Sequence, residues 1–390
     1  MSRPHVRPSA GDAGPAAALF QFLPGIALAA ATMLLSVHLA DWLGAGLLRL
    51  QGLDPAQASS PVSGVLVAIL LGIVLRNTLA VPTLFQKGLA LCAKSVLRLG
   101  IVCVGIKLSL LDVFTLGAWG LPVVALSIAA GLVFIVWVNA RLKLPPRLGA
   151  LIAAGSSICG ITAIVSVAAA IKAEEKEVAY AVANITLFGL IAMFTYPYLA
   201  PHIFATSEQI GLFLGIAIHE TAQVVGAALT FREVFHDDVA FQVATVAKLT
   251  RNLFLTLVIP VLSYSYMRRA SAPRGEAAPA LRRSQLVPAF ILGFLAMALL
   301  RTIGDSTAAA GRAFGLWTPA AWKSIVDAIG NEWGSKYLLG AAMAAVGLST
   351  SLSVLRGVGF KPFAVGLAGA LVVGLAGAAS VLLLGRLVGA

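Results

Sequence analysis

Along almost the whole chain, charged residues are spaced so that long apolar runs lie between them. A lipid core of about 30 Å is crossed by about 20 apolar residues of helix. Runs of that length, bordered by charged or Pro/Gly-rich gaps, predict eleven helices: 20–40, 61–79, 88–111, 119–140, 147–171, 177–200, 208–230, 239–266, 286–303, 334–355 and 362–386. The segment 317–331, with Trp317, Trp322 and Trp333 around it, reads as interfacial. The expected fold is therefore all-α, a polytopic membrane bundle of about 10–11 transmembrane helices. It divides into a disordered tail (1–19), eight helices carrying the candidate site (20–266), a basic loop rich in Ala, Pro, Ser and Arg (267–285) and three last helices (286–390).

Composition agrees with lipid as the solvent. Of 390 residues, 59% are hydrophobic and 11% charged, and the mean hydropathy is +0.94, which leaves too little polar surface for a water-soluble domain. The net charge of +12 would suit a nucleic-acid partner only if it formed a basic domain. Instead the charges sit in the gaps between runs, so the partners expected are the bilayer and a small solute, with no nucleic acid. With the N-terminus placed in the cytoplasm, the inner side collects Arg3, Arg7, Arg76, Lys87, Arg141, Lys143, Arg147, Arg268, Arg269, Arg274, Arg282, Arg283, Arg356 and Lys361. The outer side takes Arg49, Lys172, Lys176, Arg232, Arg301, Arg312, Lys323 and Arg386, together with Glu174, Glu175, Glu177, Asp237 and Asp238. That bias predicts a multi-pass protein of the bacterial inner membrane. A cleaved leader is the rival reading of the first run, but the run is longer than a leader's apolar core and His38 sits poorly before a cut after Ala40. Cys92, Cys103 and Cys159 show neither zinc nor disulfide spacing, so no metal or other cofactor is expected.

An internal echo joins 105–122 (GIKLSLLDVFTLGAWGLP) to 347–362 (GLSTSLSVLRGVGFKP). Seven predicted helices separate the copies, so they would cross in opposite directions, as inverted repeats of secondary transporters do. Shared membrane-helix composition is the simpler alternative.

Ionisable groups inside an apolar run cost at least about 2.5 kcal/mol each at mid-bilayer. Lys94, Arg98, Lys107, Glu220, Lys248, Arg251 and Lys336 fall in predicted helices, six cations against one carboxylate. Lys107 and Lys336 lie near helix ends and can reach the interface. Glu220, Lys248 and Arg251 come out near the midplane on consecutive helices. His219, Glu220 and Gln223 cluster at helical spacing, and Lys248 and Asn252 share a stripe edged by Arg251. An ion pair from Glu220 to Lys248 or Arg251 would be the structural reading, and it leaves a surplus cation for a ligand.

The stretch Gly-Ser-Ser-Ile-Cys-Gly-Ile-Thr-Ala at 155–163 weakens a helix in mid-run. A break there would free N–H groups near Gly160 for an anion, with Ser156, Ser157, Cys159 and Thr162 around them. Close packing through small residues is the alternative.

At GSSICGITA, IHETAQVVGA and LLGAAMAAVGLSTSLSVLRGVGFKP the chain resembles the YeiH-type family (UPF0324) of bacterial inner-membrane proteins, which carries the label of sulfate exporter. The resemblance runs from FLPGIAL at 22–28 to KPFAVGL at 361–367. It implies an architecture of inverted five-helix repeats with crossing discontinuous helices, making 155–163 one crossing element and 343–353 a candidate for the other.

The expected function is secondary transport of a small anion, such as sulfate or an organic sulfonate or carboxylate, by alternating access with H+ or Na+ as coupling ion. The expected substrate-binding residues are Ser156, Ser157, Cys159, Gly160, Thr162, His219, Gln223, Lys248, Arg251 and Asn252, with His219 and Glu220 coupling or gating. An anion channel and an intramembrane hydrolase built on Ser156 or Ser157 with His219 and Glu220 are the other readings. No Walker motif is present for a built-in ATPase. A homodimer is compatible with all of them.

Overall fold

The computed structural model describes residues 20–55, 60–79, 81–269, 288–355 and 359–384. The tail 1–19 and most of the basic loop, with Arg274, Arg282 and Arg283, lie outside these residues, as do Arg356 and Arg386. Among the described residues the chain is all-α, and seven helices are long and apolar enough to cross a membrane. In chain order the elements are α1 (Leu23–Leu50), α2 (Gly64–Thr78), α3 (Thr83–Lys107), α4 (Leu110–Arg141), α5 (Pro146–Ser157), α6 (Ile161–Ile171), α7 (Glu175–His202), α8 (Ser207–Ala217), α9 (Thr221–Phe235), α10 (Asp238–Leu253), α11 (Leu255–Arg269) and α12 (Ala289–Ala309). A last composite helix, α13, runs through Pro319–Asp327, a π-helical stretch Ala328–Leu339 and Gly340–Ser349. After an irregular segment, α14 spans Phe360–Leu384.

Two of the predicted crossings do not cross. The run 147–171 breaks at Ile158–Gly160, and α5 and α6 fold back on each other as a hairpin. Arg147, at the start of α5, lies 3.9 Å from Glu174, just beyond α6, so both arms end on one face of the molecule. Each arm, of 12 and 11 residues, reaches only about half a bilayer at 1.5 Å per residue. The run 208–230 breaks likewise at Ile218–Glu220. Gly211 packs on Ala240 and Val243, and Gly215 on Ala244 and Ala247, so α8 runs parallel to α10. By contrast α9 joins α10 through a tight turn at His236 and Asp237 and runs against it. The α8–α9 pair is a second hairpin, with its base beside Asp238.

The hairpins enter from opposite faces. Helix α7 leads from the first base to the second, and α10–α11 leads back to Tyr266, whose hydroxyl accepts from Arg147 Nε at 2.9 Å. Each returning arm ends on a residue in left-handed conformation, Lys172 and His236. Because 147–171 is a hairpin, Lys172, Lys176, Glu174, Glu175 and Glu177 share the face of Arg141, Lys143 and Arg147, which corrects the alternation expected from the sequence. The crossing elements expected at 155–163 and 343–353 are replaced by the two facing hairpins, while α13 stops at Ser349 beside them.

The tips meet in the middle of the bundle. Gly160 has φ +70° and ψ −127°, a conformation only glycine enters freely. A Cβ there would also sit 3.1 Å from Glu220 Cβ. Irregular backbone at this depth is tolerable because it is enclosed by protein: Ala240 to Asn252 on α10 are almost all buried. Outside, Leu34, Trp42, Phe114, Val133, Leu375 and Leu383 face outward as a lipid-facing surface would.

Cysteines placed at Lys143 and Glu175, in a background without the native three, should be labelled by a membrane-impermeant maleimide from one side and a cysteine at Val239 from the other. Opposite-side labelling of the first two would restore a crossing helix at 147–171. Gly160→Ala should lower unfolding free energy by about 1–3 kcal/mol, measured by thermal or SDS unfolding, whereas Gly46→Ala on open helix surface should be neutral or gain up to about 1 kcal/mol.

Candidate functional site

Every helix end leaves carbonyls without partners, and two such ends, α5 and α8, finish in the bundle centre. Lys248 and Arg251 on α10 satisfy them. Lys248 Nζ donates to the carbonyls of Ile158 at 3.1 Å, Ile218 at 3.0 Å and His219 at 2.6 Å, which uses all three ammonium donors. Arg251 donates through Nε to Ser157 O at 2.9 Å, through Nη1 to Ile216 O at 2.6 Å and Ile218 O at 2.9 Å, and through Nη2 to Ser156 O. Both side chains are 1–2% exposed. Both charges are met by the negative ends of two helix dipoles, and no ion pair joins either one to Glu220 among the described residues. The arrangement turns the expected anion ligands Lys248 and Arg251 into a clasp across the hairpin tips.

The other halves of the broken helices start at the same tips, at Ile161 and Thr221. Beside them lies a cavity of about 280 Å³. Its wall includes Ile161 in the first turn of α6, Glu220 and Ala222 at the start of α9, Thr186 and Leu190 on α7, Lys94 on α3, and Ser349 to Leu352 after α13. Lys94 sits in a π-helical turn, Cys92–Val96, inside α3. Such turns interrupt helical register and recur at functional sites. Lys94 has no hydrogen-bond or ion-pair partner among the described residues. Glu220 caps α9 in a capping box with Gln223, its own N–H donating to Gln223 Oε1 at 3.3 Å. Asn77 holds the segment after Ser349 in place, donating to Thr350 O at 3.0 Å and accepting from Leu352 N–H at 2.8 Å.

The predicted residues thus separate into groups. Gly160 and Glu220 stand at the touching hairpin tips, and Glu220 also lines the cavity. Gln223 is buried behind it, donating to Thr186 O at 3.2 Å. His219 is buried with Nδ1 3.2 Å from Ser156 O, and Cys159 and Asn252 are buried near the clasp. Ser156 and Ser157 end α5, not begin a helix, and their hydroxyls face α4 and α14 around Gly131 and Gly369. Thr162 is exposed on the outside of α6. The hydrolase reading needs a serine hydroxyl on the imidazole, and His219 meets only the serine's carbonyl. Thr186, Ser349, Thr350 and Ser351 were not anticipated. A lone Thr in an apolar run carries no pattern, whereas the hydroxyl-rich GLSTSL at 347–352 is a legible signal.

Comparison with known proteins fits this membrane-embedded core. Residues 24–366 match the family described as conserved hypothetical protein 698. The chain belongs to this family. Among similar proteins, a UPF0324 membrane protein of Corynebacterium glutamicum is 35% identical, covering 78% of this chain and 80% of the relative. A UPF0324 membrane protein of Nitratidesulfovibrio vulgaris is 30% identical over 90% of both chains. The UPF0324 inner membrane protein YeiH of Salmonella typhimurium is also 30% identical over 90% of both. Family membership covers both hairpins, the clasp and the cavity, and these relatives are all membrane proteins.

Replacing a clasp cation strands several buried carbonyls at about 1–3 kcal/mol each. Lys248→Met and Arg251→Met should each lower stability by at least ~3 kcal/mol in SDS unfolding, while Lys94→Met should leave it nearly unchanged. A Lys248→Met protein as stable as the parent would show that the clasp does not hold the tips.

Proposed function

We propose that the protein is a secondary transporter of a small anion, working by alternating access, with the anion held in the cavity by Lys94 and the N-terminal turns of α6 and α9. The observation that carries this reading is the placement of Lys94, an exposed cation with no hydrogen-bond or ion-pair partner among the described residues, and the N-termini of two broken helices around one cavity. Secondary transporters hold anionic groups at the N-termini of discontinuous helices in this way. Glu220 is the carboxylate of the cavity wall and gates or couples the cycle by exchanging a proton; sodium is the other coupling ion to be tested. His219, clamped beneath Glu220, sets the position of the tip.

A second cavity, of about 590 Å³, supports the alternating cycle. It is lined by Ser60, Val65, Arg232, Asp238, Glu332 and Lys336 on the Asp238 face. Both cavities are lined in part by α9 and α13, and between them Ile69, Met193 and Met343 close on Gly226, where a Cβ would be 2.8 Å from Met193 Sδ. A plug between two opposed cavities suits a carrier better than an open channel. The facing hairpins supply a pair of gates that suits inverted halves. With the Arg147 face in the cytoplasm, Lys172 and Lys176 add to its basic bias, which supports a cytoplasmic N-terminus. Sulfate and organic sulfonates or carboxylates are the anions to test.

In proteoliposomes, anion flux should be saturable and show counterflow, and Lys94→Gln should cut it at least tenfold. Glu220→Gln should abolish its pH dependence. Flux without counterflow would indicate a channel, and parental flux in Lys94→Gln would remove the cavity as the anion site.

A further inference from the structure

The cavity does not have one sign of charge. It carries one ammonium, Lys94, and one carboxylate, Glu220, with no ion pair between them. Helix ends repeat the pattern: the N-terminus of α6 is positive, and the C-terminus of α13 at Ser349 brings the negative end of a dipole to the same wall. Between these groups the lining is apolar, from Ala93, Ile161, Val182, Leu187, Leu190 and Val346. A volume of about 280 Å³ would hold roughly nine waters at ~30 Å³ each, well beyond the needs of a five-atom inorganic anion. Such an anion would leave the apolar wall uncovered and add a second negative group to a wall that already carries the Glu220 carboxylate. A solute with an anionic group, a short carbon linker and an ammonium group answers both charges and the apolar lining together.

We infer that the substrate class is a small zwitterion, an amino acid or aminosulfonate, whose anionic group meets Lys94 and the α6 N-terminus while its ammonium meets Glu220. This rests on the anion-transport reading of the same cavity and adds the second pole. It also gives coupling a physical basis. The ammonium and a proton compete for the Glu220 carboxylate, so loading one releases the other, as exchange requires.

The test is binding to the purified full-length protein, read by titration calorimetry and by ligand-induced thermal shift. Four probes are compared: 2-aminoethanesulfonate against ethanesulfonate, and 3-aminopropionate against propionate, with sulfate as a reference. Each amine-bearing probe should bind at least tenfold more tightly than its amine-free partner and than sulfate. Glu220→Gln, which keeps capping oxygen, should collapse the difference within each pair, and Lys94→Gln should weaken all five. Equal or tighter binding of the amine-free probes or of sulfate overturns the zwitterion, as does a difference that survives Glu220→Gln. If Lys94→Gln still weakens every probe in that case, the anion site stands without its second pole. If Lys94→Gln changes none of them, or no probe binds, both readings fall. The comparison within each pair uses the parent protein alone, so an unstable variant does not blunt it.

Discussion

Two cations spent on backbone carbonyls hold this architecture together. Helices that end at mid-bilayer expose acceptors that lipid cannot satisfy, and Lys248 and Arg251 supply donors to two such ends at once. Ile218 O accepts from both. The cost of burying two positive charges is offset because their neighbours are the negative ends of two helices. Neither the breaks nor the cations would be stable without the other.

From that clasp the polarity of the centre follows. The first arms of both hairpins bring their negative ends to α10, and the first turns of the second arms line the cavity beside Lys94. Glu220 belongs to both regions: its backbone touches the Gly160 turn, while its carboxylate caps α9 and lines the cavity. Its placement joins the tip geometry to the cavity wall in one residue. Between the two cavities Ile69, Met193 and Met343 pack closely on Gly226.

Much of the membrane character was legible in residue order, because lipid imposes a length and a composition on each crossing. Most apolar runs correspond to helices with borders a few residues off, but α1 runs on to Leu50, α4 begins at Leu110, and 317–331, expected at the interface, belongs to α13, which begins at Pro319. GSSICGITA reads as a place where a helix weakens, whereas IHETAQ, whose polar residues keep helical spacing, does not announce its break. What a run of 25 apolar residues does not encode is whether it is one helix or two arms of half that length. Both satisfy the same hydropathy, and the decision at Gly160 is one dihedral angle. The side on which Lys172 and Glu174 emerge depended on that decision.

The same division applies to the site. Residue type and spacing determined that Glu220, Lys248 and Arg251 are buried near the midplane and that each needs a partner, since an unpaired charge in lipid is too costly to keep. Only the tertiary structure decided which partners they have: carbonyls from segments about 30 and 90 residues away satisfy Lys248, while Lys94, from a helix distant in sequence, faces the cavity with Glu220. A cation's donors can be met by any acceptor the fold brings within about 3 Å, and local sequence has no record of which acceptors those will be.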